Sequence, residues 1–191
     1  MKKTFHSTLR SFSLAALLVL AAVLSAVRPA GAQTPLISVS PDSQIVAHGS
    51  TVTLEITISA ETLELMGYNI AVVFNGDIIQ LDSVNEGALP AGSGHTTFFH
   101  WLNPGTPTDS VHANGAILGT TVDGPGALIE LEFTGNAPSS SRDTDVEIVF
   151  SVIRDGVNQD IVHSVAHGWI RVEPPVRVEE STWGRVKSRY R

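Results

Sequence analysis

The chain has 191 residues, a length typical of one domain with additional segments at its ends. It contains no cysteine, which excludes thiol chemistry and a scaffold built on disulfides. Its 19 acidic residues outnumber its 12 basic ones, and no Lys or Arg occurs between residues 33 and 141. Such a surface repels phosphate backbones, so we expect no nucleic-acid partner.

Residues 1–32 have the three parts of a secretory signal peptide. A basic start precedes the apolar segment "SLAALLVLAAVLSAV", and "AGA" at 30–32 supplies the small residues of a cleavage site. Cleavage after Ala32 would leave 159 residues with eight basic and 19 acidic side chains, a net charge of −11. The prediction is a secreted or cell-surface bacterial protein with no membrane span after cleavage. An uncleaved anchor is the alternative, because Arg28 and Pro29 follow the apolar segment.

Residues 33–173 are predicted to form one all-β domain. In "TVTLEITI", residues 51–58, apolar and polar side chains alternate, and "VEIVFSV" at 146–152 alternates again through Val146, Ile148, Phe150 and Val152. Gly, Pro, Asn and Asp clusters separate nine or ten short strands about 12 residues apart, and no convincing amphipathic helix lies among them, though "ETLELMG" at 61–67 is compatible with one helical turn. This pattern is typical of a β-sandwich or barrel.

Two segments inside the domain are predicted to be divided by glycine-containing turns. In "GYNIAVVFNGDIIQLDSV", residues 67–84, the turn at Asn75-Gly76-Asp77 separates two adjacent strands, each with one side in the core. In "SVHANGAILGTTVDGPGALIELEF", residues 110–133, breaks at "NG" and "DGPG" predict two or three strands.

Three segments resemble the cohesin domain, the receptor module of bacterial scaffold proteins. They are "VAHGSTVTLEITISA", "MGYNIAVVFNGDIIQLDSV" and "GAILGTTVDGPGALIELEFTG", and their order and spacing extend the resemblance over residues 37–173. The chain departs from the family pattern at Asn75, within the aromatic-Asp turn, and at His167, where the family usually has Asp.

The resemblance implies a nine-stranded jelly-roll β-sandwich without catalytic activity. It also implies a dockerin-like partner, a small calcium-loaded helical module often attached to enzymes of polysaccharide catabolism. No cofactor of the chain itself is expected, and any calcium would be held chiefly by the partner. Asn69 aligns approximately with a polar position on the dockerin-facing sheet of the family.

The aromatic segment "FFHW" supplies further candidates for partner binding. Alternation along a strand sends Phe98 and Phe99 to opposite faces, so at least one is expected at the surface. Exposed aromatic side chains anchor protein partners or stack on sugar rings. The predicted partner-binding residues are therefore Asn69, Phe98, Phe99 and Trp101. A carbohydrate-binding sandwich is the alternative function, and Trp169 is expected in the core.

No catalytic or metal-binding residue is predicted. The seven histidines lack helical metal-site spacing, and "DGVNQD" at 155–160 has Gly at the wrong position for an EF-hand loop, which favours a turn. There is no G-x-S-x-G motif. Glu130 and Glu132 are interpreted as part of a solvated sheet face. A secreted hydrolase on the same fold remains a third, minor alternative.

Residues 174–191 are predicted to be a Pro-led linker and a basic-aromatic tail. The segment "WGRVKSRYR" is rich in Arg and Lys, whereas the preceding domain is acidic. A short helix would place Trp183, Val186 and Tyr190 on one side. The alternatives are a tail that folds back on the domain, a sorting or docking tag, and a frayed terminus.

Overall fold

A computed structural model of the chain describes residues 33–103, 109–137 and 139–175. The predicted signal peptide and almost all of the predicted tail lie outside these residues. The described strands all belong to the compact unit that begins at Thr34. The elements are β1 (Leu36–Ser40), β2 (Ser43–Ala47), β3 (Thr51–Ile58), β4 (Leu65–Val73), β5 (Ile79–Glu86), α1 (Ala88–Ala91), β6 (Thr97–Leu102), β7 (Ser110–Ile117), β8 (Gly126–Gly135), β9 (Arg142–Asp155), β10 (Ser164–Ala166) and β11 (Gly168–Glu173).

The strands form a two-layer sandwich, which confirms the predicted all-β class. One sheet has the order β10-β1-β3-β8-β5 and the other the order β2-β11-β9-β4-β7-β6. The described residues contain eleven strands instead of the predicted nine or ten, with β1 and β10 in one sheet and β2 and β11 in the other. β1 pairs in parallel with β10, and β2 pairs in parallel with β11. Both ends of the domain thus contribute to both layers.

The prediction that residues 67–84 form two adjacent strands is wrong. β4 lies between β7 and β9, whereas β5 is an edge strand of the opposite sheet and pairs with β8. The turn between them crosses from one sheet to the other, and Phe74 and Ile78 on its two sides are both buried in the core. The amide of Asn75 donates to Thr144 Oγ1 at 3.0 Å and fixes the crossing.

The predicted break at Asn114-Gly115 is also wrong. β7 continues through both residues, and Gly115 has no positive φ. Its lack of a side chain leaves room for the ring of Tyr68, since a Cβ on Gly115 would lie 2.2 Å from Tyr68 Cζ. The glycine is therefore required by packing instead of by a turn.

The segment 61–67 forms no helical turn, and the described residues contain a single short helix, α1.

The core lies between the two sheets, and a buried hydrogen bond also connects one sheet with the other. Phe133 and Phe74 meet edge to face with ring centroids 4.9 Å apart. The hydroxyl of Tyr68 in β4 donates to the carbonyl of Leu128 in β8 at 2.9 Å. Burial, and secondarily the charge of Glu86, raises the pKa of Tyr68 well above its ordinary value.

Trp169 is not a core residue, which corrects the expectation from sequence. Its side chain is 37% exposed, whereas its neighbour Ile170 is fully buried. Alternation along β11 turns Ile170 and Val172 inward, so Trp169 lies on the outer face with Arg171, whose guanidinium is 5.7 Å from the indole centroid. No helix in the described part of the chain is long and apolar enough to cross a membrane.

Candidate functional site: the outer face of the six-stranded sheet

The outer faces of the two sheets differ in chemistry. On the five-stranded sheet, the outward side chains of β3 and β8 are hydroxyl and carboxylate groups: Thr53, Glu55, Thr57, Glu130, Glu132 and Thr134. Glu132 accepts a hydrogen bond from Ser83 at 3.1 Å. This face has the composition of a solvated surface, as predicted for Glu130 and Glu132.

The outer face of the six-stranded sheet carries exposed apolar side chains instead. Leu102, His112, Ala71 and Phe150 form one row across β6, β7, β4 and β9, as their registers show. The side chains of Phe98, Leu102, Val149 and Phe150 are 53%, 55%, 55% and 46% exposed. Exposed apolar groups gathered on one side of a domain are characteristic of interaction surfaces. We refer to these four residues as the apolar patch.

A β-bulge in β9 creates half of this patch. Strict alternation predicts Phe150 on the same side as Val146 and Ile148, which are buried. The register shifts opposite Ala71 and Val72, so that Val149 has no partner of its own and both Val149 and Phe150 face outward. Phe150 is absent from the predicted site residues for this reason, since a period-two pattern gives no sign of a bulge.

Polar groups at the centre of the face are paired with each other. Asn69 Oδ1 accepts a hydrogen bond from His112 Nε2. The imidazole of His112 also lies edge to face against the ring of Phe150, with centroids 6.1 Å apart. These contacts hold both side chains against the sheet, so the centre of the face is fixed before any partner arrives.

A shallow hollow of about 350 Å³ lies beside this pair. Gly67 and Ala116 form part of its floor, and their small size makes the hollow deeper. Leu118 and Val152 also line the hollow and make its surface apolar. Phe98 is the register partner of Ala116, so it stands beside the hollow on the same face. The hollow can accept an apolar side chain from a partner.

The structure brings together two of the four predicted site residues. Asn69 and Phe98 both lie on the outer face. Phe99 is the register partner of Gly115 and packs against the core. Trp101 points to the same, inner side of β6, and its side chain is 38% exposed because β6 is an edge strand. Phe99 and Trp101 therefore do not share a surface with Asn69.

An acidic depression of about 540 Å³ occupies the other end of the face. The carboxylates in its lining are those of Asp77, Asp109, Asp143, Asp145 and Glu147. Asp143 accepts two hydrogen bonds from Arg171, at 2.7 and 3.0 Å, which lower the pKa of the Asp143 carboxyl. The other four carboxylates have no ion-pair partner among the described residues. This end of the face attracts cations.

One pair of side chains has the geometry of a nucleophile and a base. Ser151 Oγ lies 2.7 Å from His163 Nε2. However, the second imidazole nitrogen of His163, Nδ1, donates to the carbonyl of Ile161 instead of to a carboxylate. Asp160 lines the same surface depression but is paired with Arg154.

No group of three metal-ligating side chains occurs in the described ranges. The segment 155–160 is a turn, as predicted, with Asp155 Oδ1 accepting from the amides of Val157 and Gln159.

The architecture is that of the cohesins. No family model matches the chain, and no curated protein matches it. Among solved structures, a non-cellulosomal cohesin of Archaeoglobus fulgidus matches with a TM-score of 0.61 at 14% identity, covering 80% of this chain and 98% of its own. The sixth cohesin of Acetivibrio cellulolyticus scaffoldin B, solved with a variant Cel5 dockerin, matches with a TM-score of 0.61 at 13% identity, covering 74% and 100%.

A third solved structure comes from Clostridium thermocellum. It is a type I cohesin–dockerin complex, and its match has a TM-score of 0.59 at 11% identity, covering 74% of this chain and 94% of its own. The cohesin-like sandwich predicted from the sequence is thereby confirmed as a fold. Identity at this level carries no information on which residues bind a partner.

Proposed function

We propose that the domain is a secreted, non-catalytic receptor module that binds a dockerin-like helical protein on the outer face of its six-stranded sheet. The observation that carries the proposal is the difference between the two outer faces. One carries Phe98, Leu102, Val149 and Phe150 exposed around an apolar hollow, and the other carries hydroxyls and carboxylates. Several of the matched structures contain a cohesin with a dockerin, which supports this class of partner.

The chemistry of the face suits a helix better than an extended peptide. A helix in a shallow groove is recognised through apolar side chains spaced along one side. The apolar patch extends over four neighbouring strands, about 14 Å from β6 to β9 at 4.8 Å per strand. That width exceeds a single extended chain and is sufficient for an α-helix, which is about 10–12 Å across with its side chains.

The carbohydrate-binding alternative has less support. Sugar rings stack on aromatic side chains that share one surface. Phe98 and Trp101 project from opposite sides of β6, and Trp169 lies two strands beyond β4. These three rings form no common platform. A link to polysaccharide catabolism would then come through the proteins that carry the partner module.

Purified dockerins test the proposal directly. Residues 33–191 are immobilised, and binding of a panel of dockerins, including the Cel5 dockerin of the matched scaffoldin B complex, is measured with calcium and with a chelator. We expect binding that requires calcium and falls at least tenfold in Phe150→Asp. The matched control is Thr53→Asp on the opposite outer face, which should bind like the wild type. Equal losses in both variants, or binding to insoluble polysaccharide with no dockerin binding, would refute the proposal.

A further inference from the structure

One stretch of β9 lacks a neighbouring strand on the side that faces away from β4. β11 pairs with β9 only as far as Val146, and the chain meets this side of β9 again at Arg154. Among the described residues, no strand covers residues 147–152 on this side. The bulge that turns Val149 and Phe150 outward lies within this uncovered stretch. A bulge disrupts the ladder locally, so its shape here depends on contacts other than strand pairing.

The side chain of His167 supplies one of these contacts. The amide of Ile148, the residue before the bulge, donates to His167 Nδ1 at 3.1 Å. The direction of this bond is fixed, because a backbone N–H can only donate, and Nδ1 must therefore carry no proton. His167 lies between β10 and β11 and is exposed, so a proton can reach it directly from solvent.

The other hydrogen-bonded histidines beside β9 keep their bonds when they are protonated. His163 Nδ1 donates to a backbone carbonyl, and its Nε2 contacts Ser151 Oγ, which can accept as well as donate. His112 Nε2 donates to Asn69 Oδ1, and a proton on the other ring nitrogen leaves that bond in place. A proton on His167 Nδ1, by contrast, brings two N–H groups into opposition and leaves the backbone amide without its acceptor.

The charged groups beside His167 do not hold its ring in place. β1 and β10 carry none, and the nearest on the other neighbouring elements are Asp42 in the β1–β2 turn, Asp145 and Glu147 on β9, and Arg171 on β11. None of these four forms an ion pair with His167 in the part of the chain that the structure describes. The three carboxylates favour a cationic imidazole and so assist proton uptake.

We propose that His167 is a positioning residue for the apolar patch. Its unprotonated Nδ1 fixes the amide that precedes the bulge, and so keeps the side chains of Val149 and Phe150 directed outward. Protonation of the imidazole releases this amide, and the bulge loosens. Partner binding then weakens in acid, a consequence that rests on the proposed function, whereas the positioning role does not.

NMR tests the bond and its dependence on pH. A scalar coupling between two ¹⁵N nuclei passes through an N–H···N hydrogen bond. In ¹⁵N-labelled residues 33–191, we expect this coupling between the Ile148 amide nitrogen and His167 Nδ1 at about pH 7.5, and its loss at about pH 5, since histidine side chains change charge in this range. A coupling absent at the higher pH, or retained at the lower, would overturn the proposal.

Two substitutions separate the hydrogen bond from the bulk of the ring. His167→Ala removes the acceptor, whereas the Oδ1 of His167→Asn is bonded to Cγ, as Nδ1 is, and accepts without taking up a proton. The rings of Phe150 and His112 have centroids 6.1 Å apart, so the nuclear Overhauser effect between them depends on the direction of Phe150. At about pH 7.5, this effect should fall by at least half in His167→Ala and stay at the wild-type level in His167→Asn. An unchanged effect in His167→Ala, or a loss in both variants, would contradict the positioning role.

The dockerin assay measures the consequence for binding. Between about pH 7.5 and about pH 5, the affinity of the wild type should fall about fivefold more than that of His167→Asn, as expected for the loss of one hydrogen bond. Equal changes in these two proteins would refute the pH dependence that we assign to His167.

His48→Asn is the matched control. His48 Nδ1 accepts from the amide of Ala137, also at 3.1 Å, but outside the apolar patch. The affinity of this variant should therefore change with pH as that of the wild type does, and a change like that of His167→Asn would also refute the assignment. A panel in which no dockerin binds would refute the proposed function instead, and the two NMR measurements would still decide the role of His167.

Discussion

The replacement Gly115→Ala tests how the two sheets are held together. A Cβ at this position would lie 2.2 Å from Tyr68 Cζ and 2.4 Å from the Tyr68 hydroxyl oxygen. Real carbon atoms do not approach so closely, so the tyrosine ring must move. Movement of the ring disturbs the 2.9 Å hydrogen bond from Tyr68 to the carbonyl of Leu128 in the opposite sheet.

The expected loss of stability has two parts. Overpacking a core with one extra methyl group costs about 1–3 kcal/mol. Loss of a buried hydrogen bond costs about 1 kcal/mol more. Gly115→Ala should therefore lower the free energy of unfolding by about 2–4 kcal/mol. In a background with Tyr68→Leu, which lacks the atoms that clash, the same replacement should cost less than about 1 kcal/mol.

Urea unfolding followed by tryptophan fluorescence measures all four members of this double-mutant cycle. We expect a coupling energy of about 1–3 kcal/mol between the two positions. If Gly115 were instead needed for a turn, its replacement would cost the same with either residue at position 68. Additive effects of the two substitutions would therefore refute the packing explanation and restore the turn predicted from sequence.

Three further predictions follow from burial and pKa. Tyr68→Phe should cost about 1 kcal/mol at neutral pH, because the Leu128 carbonyl loses its donor. The pKa of Tyr68 is raised in the folded state, so above about pH 10 the tyrosine ionises first in the unfolded chain, and the free energy of unfolding of the wild type should fall. Tyr68→Phe should lack the share of this fall that comes from Tyr68, as denaturant titrations at several pH values would show. Phe133→Ala in the core should cost about 3–5 kcal/mol and Phe150→Ala less than about 1, and equal values in urea unfolding would contradict the outward orientation that the bulge gives to Phe150. The hydrogen bonds from Arg171 lower the pKa of Asp143, so Arg171→Met should raise that pKa toward its ordinary value in a carboxyl NMR titration, and an unchanged pKa would exclude this cause.

The fold class was accessible from the sequence because alternation is a local property. In β3, the apolar residues Leu54, Ile56 and Ile58 are all buried, as the period of two predicts. Nothing in a strand's own residues states which strand lies beside it. The segments on either side of Asn75-Gly76-Asp77 look like a hairpin, whereas the fold places β4 and β5 in opposite sheets, with Phe74 and Ile78 between them both buried in the core.

The candidate site was only partly predictable, for a related reason. Asn69 and Phe98 were found from resemblance and from the local excess of aromatic residues. Phe150 was missed because a single unpaired residue, Val149, reverses the direction of the side chains that follow it. A bulge depends on the partner strand, and its effect on which side chains are exposed appears only when both strands are placed.

By itself, the sequence determined that the domain is a two-layer β structure, acidic, without cysteine, and followed by a cationic segment. These properties depend on composition and on the order of neighbouring residues. The tertiary structure decided that Gly115 makes room for Tyr68, that Trp169 lies outside the core, and that Phe150, Phe98 and Asn69 share one surface with the carboxylates of β9. Each of these depends on contacts between residues distant in the chain, which the sheet registers alone bring together.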